Sequence, residues 1–245
     1  MIPMLERIAE KSRDNPDMVF TSIGHLINVE MLKQCFRILD GKKAVGINGV
    51  TKEDYGQHLE ENLEDLVRRL KEHSYVPKPA KGVYIPKDNG KMRPLAIYSF
   101  EDKLMQQALK EMLEAVFEPH FHEETCGFRP GRGCHTAIKR LDSILMGKTS
   151  YVLDSDIKGF FDHLDHKWII KFVESRIKDP NIIRLVRVML NAGVMDDGAL
   201  IPTDEGSGQG SLCGARHNLM SSLVLCGDKH ISTCNYGVSS SIISA

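Results

Sequence analysis

Three groups of residues in this 245-residue sequence combine side chains and settings suited to chemistry on phosphates. The first is Ser155-Asp156-Ile157-Lys158-Gly159-Phe160-Phe161-Asp162, which closes a short β-capable run over 151–157. A carboxylate at the end of a buried strand, just before a tight turn, is held by rigid backbone and projects into a cleft, which suits a divalent cation. A lone Asp in that place can equally cap the helix that follows. The second group is basic: residues 76–97 carry Lys78, Lys81, Lys87, Lys91 and Arg93 against Asp88 alone. The third, residues 127–148, carries Arg129, Arg132, Lys139, Arg140 and Lys148 against Asp142. Ammonium and guanidinium groups at this density suit a polyanion. The formal net charge is only −1, so these are local basic patches on a neutral whole, and charge alone does not separate a binding surface from a solvated one.

The elements that must position these groups follow from spacing. Residues 1–40 read as one or two polar helices, with Leu26, Met31, Phe36 and Leu39 apolar in the second part, and Gly41, Gly46, Asn48 and Gly49 then break the pattern. Thr51 predicts an N-cap with Asp54 three residues on; Tyr55, Leu59, Leu63, Leu66, Val67 and Leu70 extend one helix to near His73. Val83-Tyr84-Ile85, the turn Lys87-Asp88-Asn89-Gly90 and the return Arg93-Pro94-Leu95-Ala96-Ile97 predict a β-hairpin with a basic tip. Leu104, Met105, Ala108, Leu109, Met112 and Val116 predict a helix over 101–117, stopped by Pro119. A Gly/Arg loop over 127–133 leads into a helix from about 135 to 146, then the strand 151–157 and helices over 160–176 and 182–190. Asp196-Asp197-Gly198, between Val194-Met195 and Ala199-Leu200-Ile201, reads as a second hairpin turn. Helices packed on an antiparallel sheet and hairpins give an α+β fold class.

Composition excludes several alternatives. Hydrophobic residues at 42% and charged residues at 27% are those of a globular protein rather than a disordered one. No apolar stretch approaches the roughly 20 residues of a membrane span, and the N-terminus lacks the apolar core of a signal peptide, so a cytoplasmic protein without a membrane partner is expected. Cys35, Cys126, Cys134, Cys213, Cys226 and Cys234 form no C-x-x-C pair, and are expected to be reduced thiols rather than a disulfide framework or zinc set. Residues 214–245 hold seven serines and only Arg216, Asp228 and Lys229 as charges, without a clean period, as a peripheral tail does.

Five segments occur in an order that resembles the reverse transcriptases encoded in group II introns. They are Gly46-Ile47-Asn48-Gly49-Val50; the hairpin from Ile85-Pro86-Lys87 to Arg93-Pro94-Leu95; Gly127-Phe128-Arg129-Pro130-Gly131-Arg132; Asp156 to Asp162; and Glu205-Gly206-Ser207-Gly208-Gln209-Gly210-Ser211. Each is a weak signal alone, but the five in sequence span residues 46–212. The resemblance implies the fingers and partial palm of a right-hand polymerase over 46–213, a helical extension over 1–45, and a divergent tail over 214–245 that looks out of frame. It implies RNA-directed DNA polymerase activity with two Mg2+ ions, an intron RNA template, a DNA primer and deoxynucleoside triphosphates.

Residue by residue, Asp156 matches the first metal-binding carboxylate, Lys87 and Arg93 the groups that hold the triphosphate, and Phe161 the bulky side chain that excludes a 2′-hydroxyl. Gln209 matches a nucleotide contact, preceded here by Gly208 where the family more often has Pro, and Arg129 and Arg132 match a template-side loop. The family's Tyr-x-Asp-Asp hairpin should follow Gln209, where Asp228 is the only acid. Val194-Met195-Asp196-Asp197 lacks the Tyr and precedes Gln209, so it is expected to be a turn. A truncated, catalytically incomplete polymerase is therefore expected. The alternative is a non-catalytic, maturase-like splicing cofactor that binds intron RNA.

Overall fold

The computed structural model describes residues 2–86, 90, 92–127, 129–147, 151–157, 165–202, 206 and 238–244. Its hub is α5 (Phe100–Phe117), which Ser99 caps by accepting from the Asp102 backbone N–H. Apolar residues fall on nearly every side of α5, as they must in a helix enclosed by others. Three helices pack on it: α1 (Pro3–Asp14), α2 (Val29–Ile38) and, later in the chain, α8 (Pro180–Leu190). Helix α7 (His166–Glu174) packs on α8. Leu5, Met31, Leu32, Leu104, Met112, Val173 and Ile182 are buried in the core these helices share.

Polar contacts tie the first 27 residues to this core. The Ser12 hydroxyl donates to the Val116 carbonyl at 2.7 Å. With its only proton spent there, Ser12 Oγ accepts from His120 Nε2 at 2.8 Å, so the ring carries its proton on Nε2. Burial, and then the Arg176 charge, hold the His120 pKa below the usual imidazole value. Phe20 pairs in parallel with Ile177: the Phe20 N–H donates to Arg176 O and the Lys178 N–H to Phe20 O, each at 2.8 Å. Buried Asp179 accepts from the Ile23 and Gly24 N–H groups at 2.7 Å each and from the Asn181 N–H at 2.9 Å. One carboxylate thus caps α8 and clips the N-terminal segment to it.

The helix expected from Thr51 to His73 is two helices, α3 (Lys52–Gln57) and α4 (Leu59–Lys71), broken at His58. The Phe36 ring packs so closely on Gly56 that a Cβ there would lie 3.1 Å from it. Glycine is a poor helix interior residue, and the Asn62 side chain takes the Tyr55 carbonyl that the break frees. The Thr51 cap is a complete box, with the Asp54 N–H donating to Thr51 Oγ1 at 3.1 Å and the Thr51 N–H to Asp54 Oδ2 at 3.0 Å.

Both expected hairpins are present. Strands β1 (Ala80–Pro86) and β2 (Met92–Ile97) pair antiparallel from Lys81↔Ile97 to Pro86↔Met92. In the sequence order of strands, β3 (Tyr151–Ile157) comes next, and β4 (Val194–Asp196) and β5 (Ala199–Ile201) form the second hairpin. Positive φ at both Asp197 (44°) and Gly198 (81°) gives the turn the twist that hairpin strands need. The four-stranded sheet runs β2-β1-β4-β5 and is mixed rather than antiparallel, because β4 joins β1 in parallel through Ala80↔Val194. Ala80, Ala96 and Tyr98 form a small separate core beneath it, so most helices pack on one another rather than on the sheet.

Helix α6 (Cys134–Leu145) follows the Gly/Arg loop as expected. Strand β3 pairs antiparallel with β6 (Val238–Ser244), from Tyr151↔Ser244 to Ile157↔Val238. Because the sequence of 214–245 has no clean period, β6 is an element that its composition does not announce.

Candidate nucleotide and template site

The basic hairpin is the first part of the site. Register places Arg93 opposite Ile85 near its tip; Lys87 lies outside the described residues. Tyr84, Ile85 and Met92 are large and exposed on it. Aromatic and apolar surface among basic groups can stack bases while the cations take phosphates. The Tyr84 hydroxyl donates to Asp196 Oδ2 at 2.6 Å, and this bond raises the tyrosine pKa. The acids of Val194-Met195-Asp196-Asp197 therefore brace the two hairpins and form a turn.

A residue absent from the sequence reading holds the base of that hairpin. Asp102, buried at the start of α5, accepts from the Tyr75 hydroxyl at 2.7 Å, the Ser99 hydroxyl at 2.6 Å and the Lys78 N–H at 3.1 Å. Lys78 stands just before β1 and Ser99 just after β2, so one carboxylate grips the hairpin where it enters and where it leaves. Burial raises the Asp102 pKa, and the three donors partly oppose that rise. Ser99-x-x-Asp102 ahead of an apolar run is the readable signal for it. The Gly46 loop presses on the same junction, where a Cβ at Gly46 would lie 2.5 Å from both Ser99 N and Tyr98 O.

The Gly/Arg loop divides its arginines between two tasks. Arg129 is buried and ion-paired to Glu118 at 2.9 Å; its Nη1 donates to His122 O at 2.7 Å and Thr125 O at 3.3 Å, and its guanidinium lies 5.4 Å from the Phe121 ring centre. Three of the five N–H donors of Arg129 are thus spent on groups that shape the loop. Arg132 is half-exposed, donates to Glu123 O, and is the loop arginine with surface to offer.

Asp156 is placed by the backbone of β3, in register with Ser239 of β6. Phe161 and Gln209 lie outside the described residues. Among the described residues, no group of three or more His, Cys, Asp or Glu side chains could hold a metal ion. No helix among them is long and apolar enough to cross a membrane.

Comparison with known proteins bears on this arrangement. The family profile described as reverse transcriptase (RNA-dependent DNA polymerase) matches residues 85–215, just over half of the 245-residue chain. The chain is similar to the group II intron-encoded protein LtrA of Lactococcus lactis subsp. cremoris, with 35% identity over 211 residues that cover 85% of this chain and 35% of that protein. It is similar to protein YkfC of Escherichia coli (strain K12), with 33% identity over 217 residues that cover 85% of this chain and 57% of that one. The chain thus spans about a third of the length of the first relative and little over half of the second. Among solved structures, a partial Cas6-RT-Cas1–Cas2 complex superposes with a TM-score of 0.51 at 18% identity, over 81% of this chain and 33% of that one, a likeness of fold. With the hairpin from Ile85 onward, the Gly/Arg loop and the Asp156 strand inside the profile match, the chain belongs to the reverse transcriptase (RNA-dependent DNA polymerase) family, beside relatives encoded in group II introns.

Proposed function

We propose that these 245 residues are the fingers and first palm elements of a group II intron RNA-directed DNA polymerase, and that they hold nucleotide and template without completing the metal site. The observation that carries this reading is the profile match over 85–215, which runs through the basic hairpin and the Asp156 strand. Lys87 and Arg93 hold the triphosphate of a deoxynucleotide, Phe161 closes the sugar pocket, and Gln209 contacts the incoming nucleotide. Asp156 is this chain's own candidate ligand for Mg2+, which when bound neutralises charge on the transferred phosphate. Intron RNA and a DNA primer are the strands the fingers meet, with Arg132 as a phosphate contact and Arg129 as its support.

After Gln209 the sequence has no adjacent Asp-Asp and only Asp228 as an acid. With Mg2+, RNA template, DNA primer and deoxynucleotides, the 245-residue chain is expected to show no extension above background. Extension that disappears on Asp156→Ala overturns the incompleteness; extension that disappears on changing Asp196 and Asp197 overturns the site assignment. A second reading, a maturase-like splicing cofactor, is favoured by the chain's similarity to Nuclear intron maturase 1 of Arabidopsis thaliana, 30% identical over 91 residues. It predicts salt-dependent intron RNA binding and splicing support from a chain that never extends a primer.

A further inference from the structure

Helix α7 begins with a side chain that reaches a distant part of the sequence. His166 Nε2 lies 2.7 Å from Gly206 O, between residues 40 apart. A carbonyl only accepts, so the ring carries a proton on Nε2 and donates it, with Nδ1 protonated or not. The donor is held on a rigid element: Asp165 caps α7 by accepting the Lys167 N–H at 2.7 Å, and Ile169, Ile170 and Val173 fix the helix in the core. The acceptor's own sequence supplies little stiffness. Gly206 is buried with φ +82°, a conformation that favours glycine, and Gly208 and Gly210 follow it in the stretch from Glu205 to Ser211. Such a backbone loses more freedom on ordering than any other, and a buried carbonyl left without a donor is costly. The imidazole N–H answers both at one atom. His166 also stands ten residues after Asp156, so a single hydrogen bond joins the end of the Asp156 segment to the start of the Gln209 segment.

We infer that His166 is a positioning residue for nucleotide recognition: by fixing the Gly206 carbonyl, it sets where Gln209 meets an incoming deoxynucleoside triphosphate. Gln209 is three residues from Gly206, a reach of at most roughly 11 Å even fully extended, so a peptide that swings at Gly206 carries Gln209 with it. Without the imidazole donor the Gly206 carbonyl turns toward water, and the segment must then be ordered by the nucleotide, which weakens binding by that ordering cost. With the triphosphate taken by Lys87 and Arg93, the effect falls on the nucleoside part. The nucleotide identity of the ligand rests on the proposed function; the anchoring of the segment rests on the His166–Gly206 bond alone.

The test uses the whole 245-residue chain with Mg2+, dATP as the nucleotide, and inorganic tripolyphosphate as a probe of the phosphate groups alone. In equilibrium titrations, His166→Leu should weaken dATP binding about 2- to 12-fold, the worth of one ordinary hydrogen bond, and leave tripolyphosphate binding unchanged. His166→Gln, whose amide keeps a donor near the Nε2 position, should restore most of the dATP affinity. The side-chain amide NMR signal of Gln209 should move in the Leu variant and return in the Gln variant. Equal weakening toward dATP and tripolyphosphate makes His166 a merely structural residue and overturns the inference while leaving the proposed function intact. Unchanged dATP binding in the Leu variant, or a Gln variant as weak as the Leu one, overturns it as well. If the unaltered chain binds no dATP, the functional reading fails first, and the Gln209 signal alone decides the anchoring: it stands if Leu moves that signal and Gln restores it, and falls otherwise.

Discussion

Arg129 and Glu118 form an ion pair at 2.9 Å in which the arginine side chain is only 6% exposed, while Arg132, three residues on, stays half-exposed. Removing one partner of a buried pair strands the other charge, at a cost of about 3 kcal/mol. Arg129→Ala should lower stability by about that much in denaturant unfolding. Arg132→Ala should leave stability nearly unchanged and flatten the salt slope of RNA binding by about 0.7. The reverse assignment of these two effects would make Arg129 the phosphate contact.

Asp102 gives a pH signature of known sign. Its folded-state pKa is raised above the ordinary value of 3.8, with burial as the first cause. The folded state therefore holds that proton more tightly than the unfolded chain does. Its favourable contribution is complete below the unfolded value and is lost as pH rises through the folded one. Asp102→Asn should remove this acid-side component. At neutral pH it should also cost roughly 1–3 kcal/mol, because an amide N–H would face hydroxyl and backbone donors. Stability against pH for both proteins checks this; parallel curves would show that Asp102 does not titrate differently on folding.

Two glycines of one loop should respond differently to alanine. A Cβ at Gly46 meets backbone atoms at 2.5 Å, which cannot rotate away, so Gly46→Ala should cost about 1–3 kcal/mol by overpacking. It should also shift amide signals of residues 98–103. Gly49 has open space around it but φ +70°, so Gly49→Ala should cost about 1–2 kcal/mol through backbone strain alone, without those shifts. Equal spectral changes in both variants would contradict the close contact at residue 46.

Thiol labelling separates a core cysteine from a surface one. Burial pushes the Cys35 pKa up to about 12, and Cys35 has no exposed surface, while Cys134 is exposed at the start of α6. Since the thiolate is the reactive form, site-resolved mass spectrometry after brief alkylation at neutral pH should find Cys134 modified and Cys35 intact. Early modification of Cys35 would mean that α2 opens from α5 under native conditions.

Much of this architecture was legible in spacing. The β1–β2 hairpin, α5 and the Asp197-Gly198 turn each rest on a local rule: turn chemistry, an apolar period, a positive φ that glycine tolerates. What stayed hidden depends on partners distant in sequence. The break at His58 follows from Phe36 packing on Gly56, the parallel β1–β4 pairing joins residues 114 apart at Ala80↔Val194, and the burial of Arg129 depends on Glu118 in a helical turn whose role the Gly/Arg motif does not reveal. In the candidate site, Asp102 escaped notice because a carboxylate that grips both ends of a hairpin looks in sequence like an ordinary helix cap.

The clip between Asp179 and the amides of Ile23 and Gly24 also sets a schedule for the chain during its synthesis. Its partners are 156 and 155 residues apart. At roughly 5–20 residues per second on the ribosome, the N-terminal segment waits about 8–30 s for the carboxylate that fixes it. Helix α1 can meet α5 sooner, through Ser12 and Val116 at a separation of 104. Residues 3–27 are thus made before the elements that dock and lock them, and through that interval the apolar side of α1, with Leu5 and Ala9, is without its final cover.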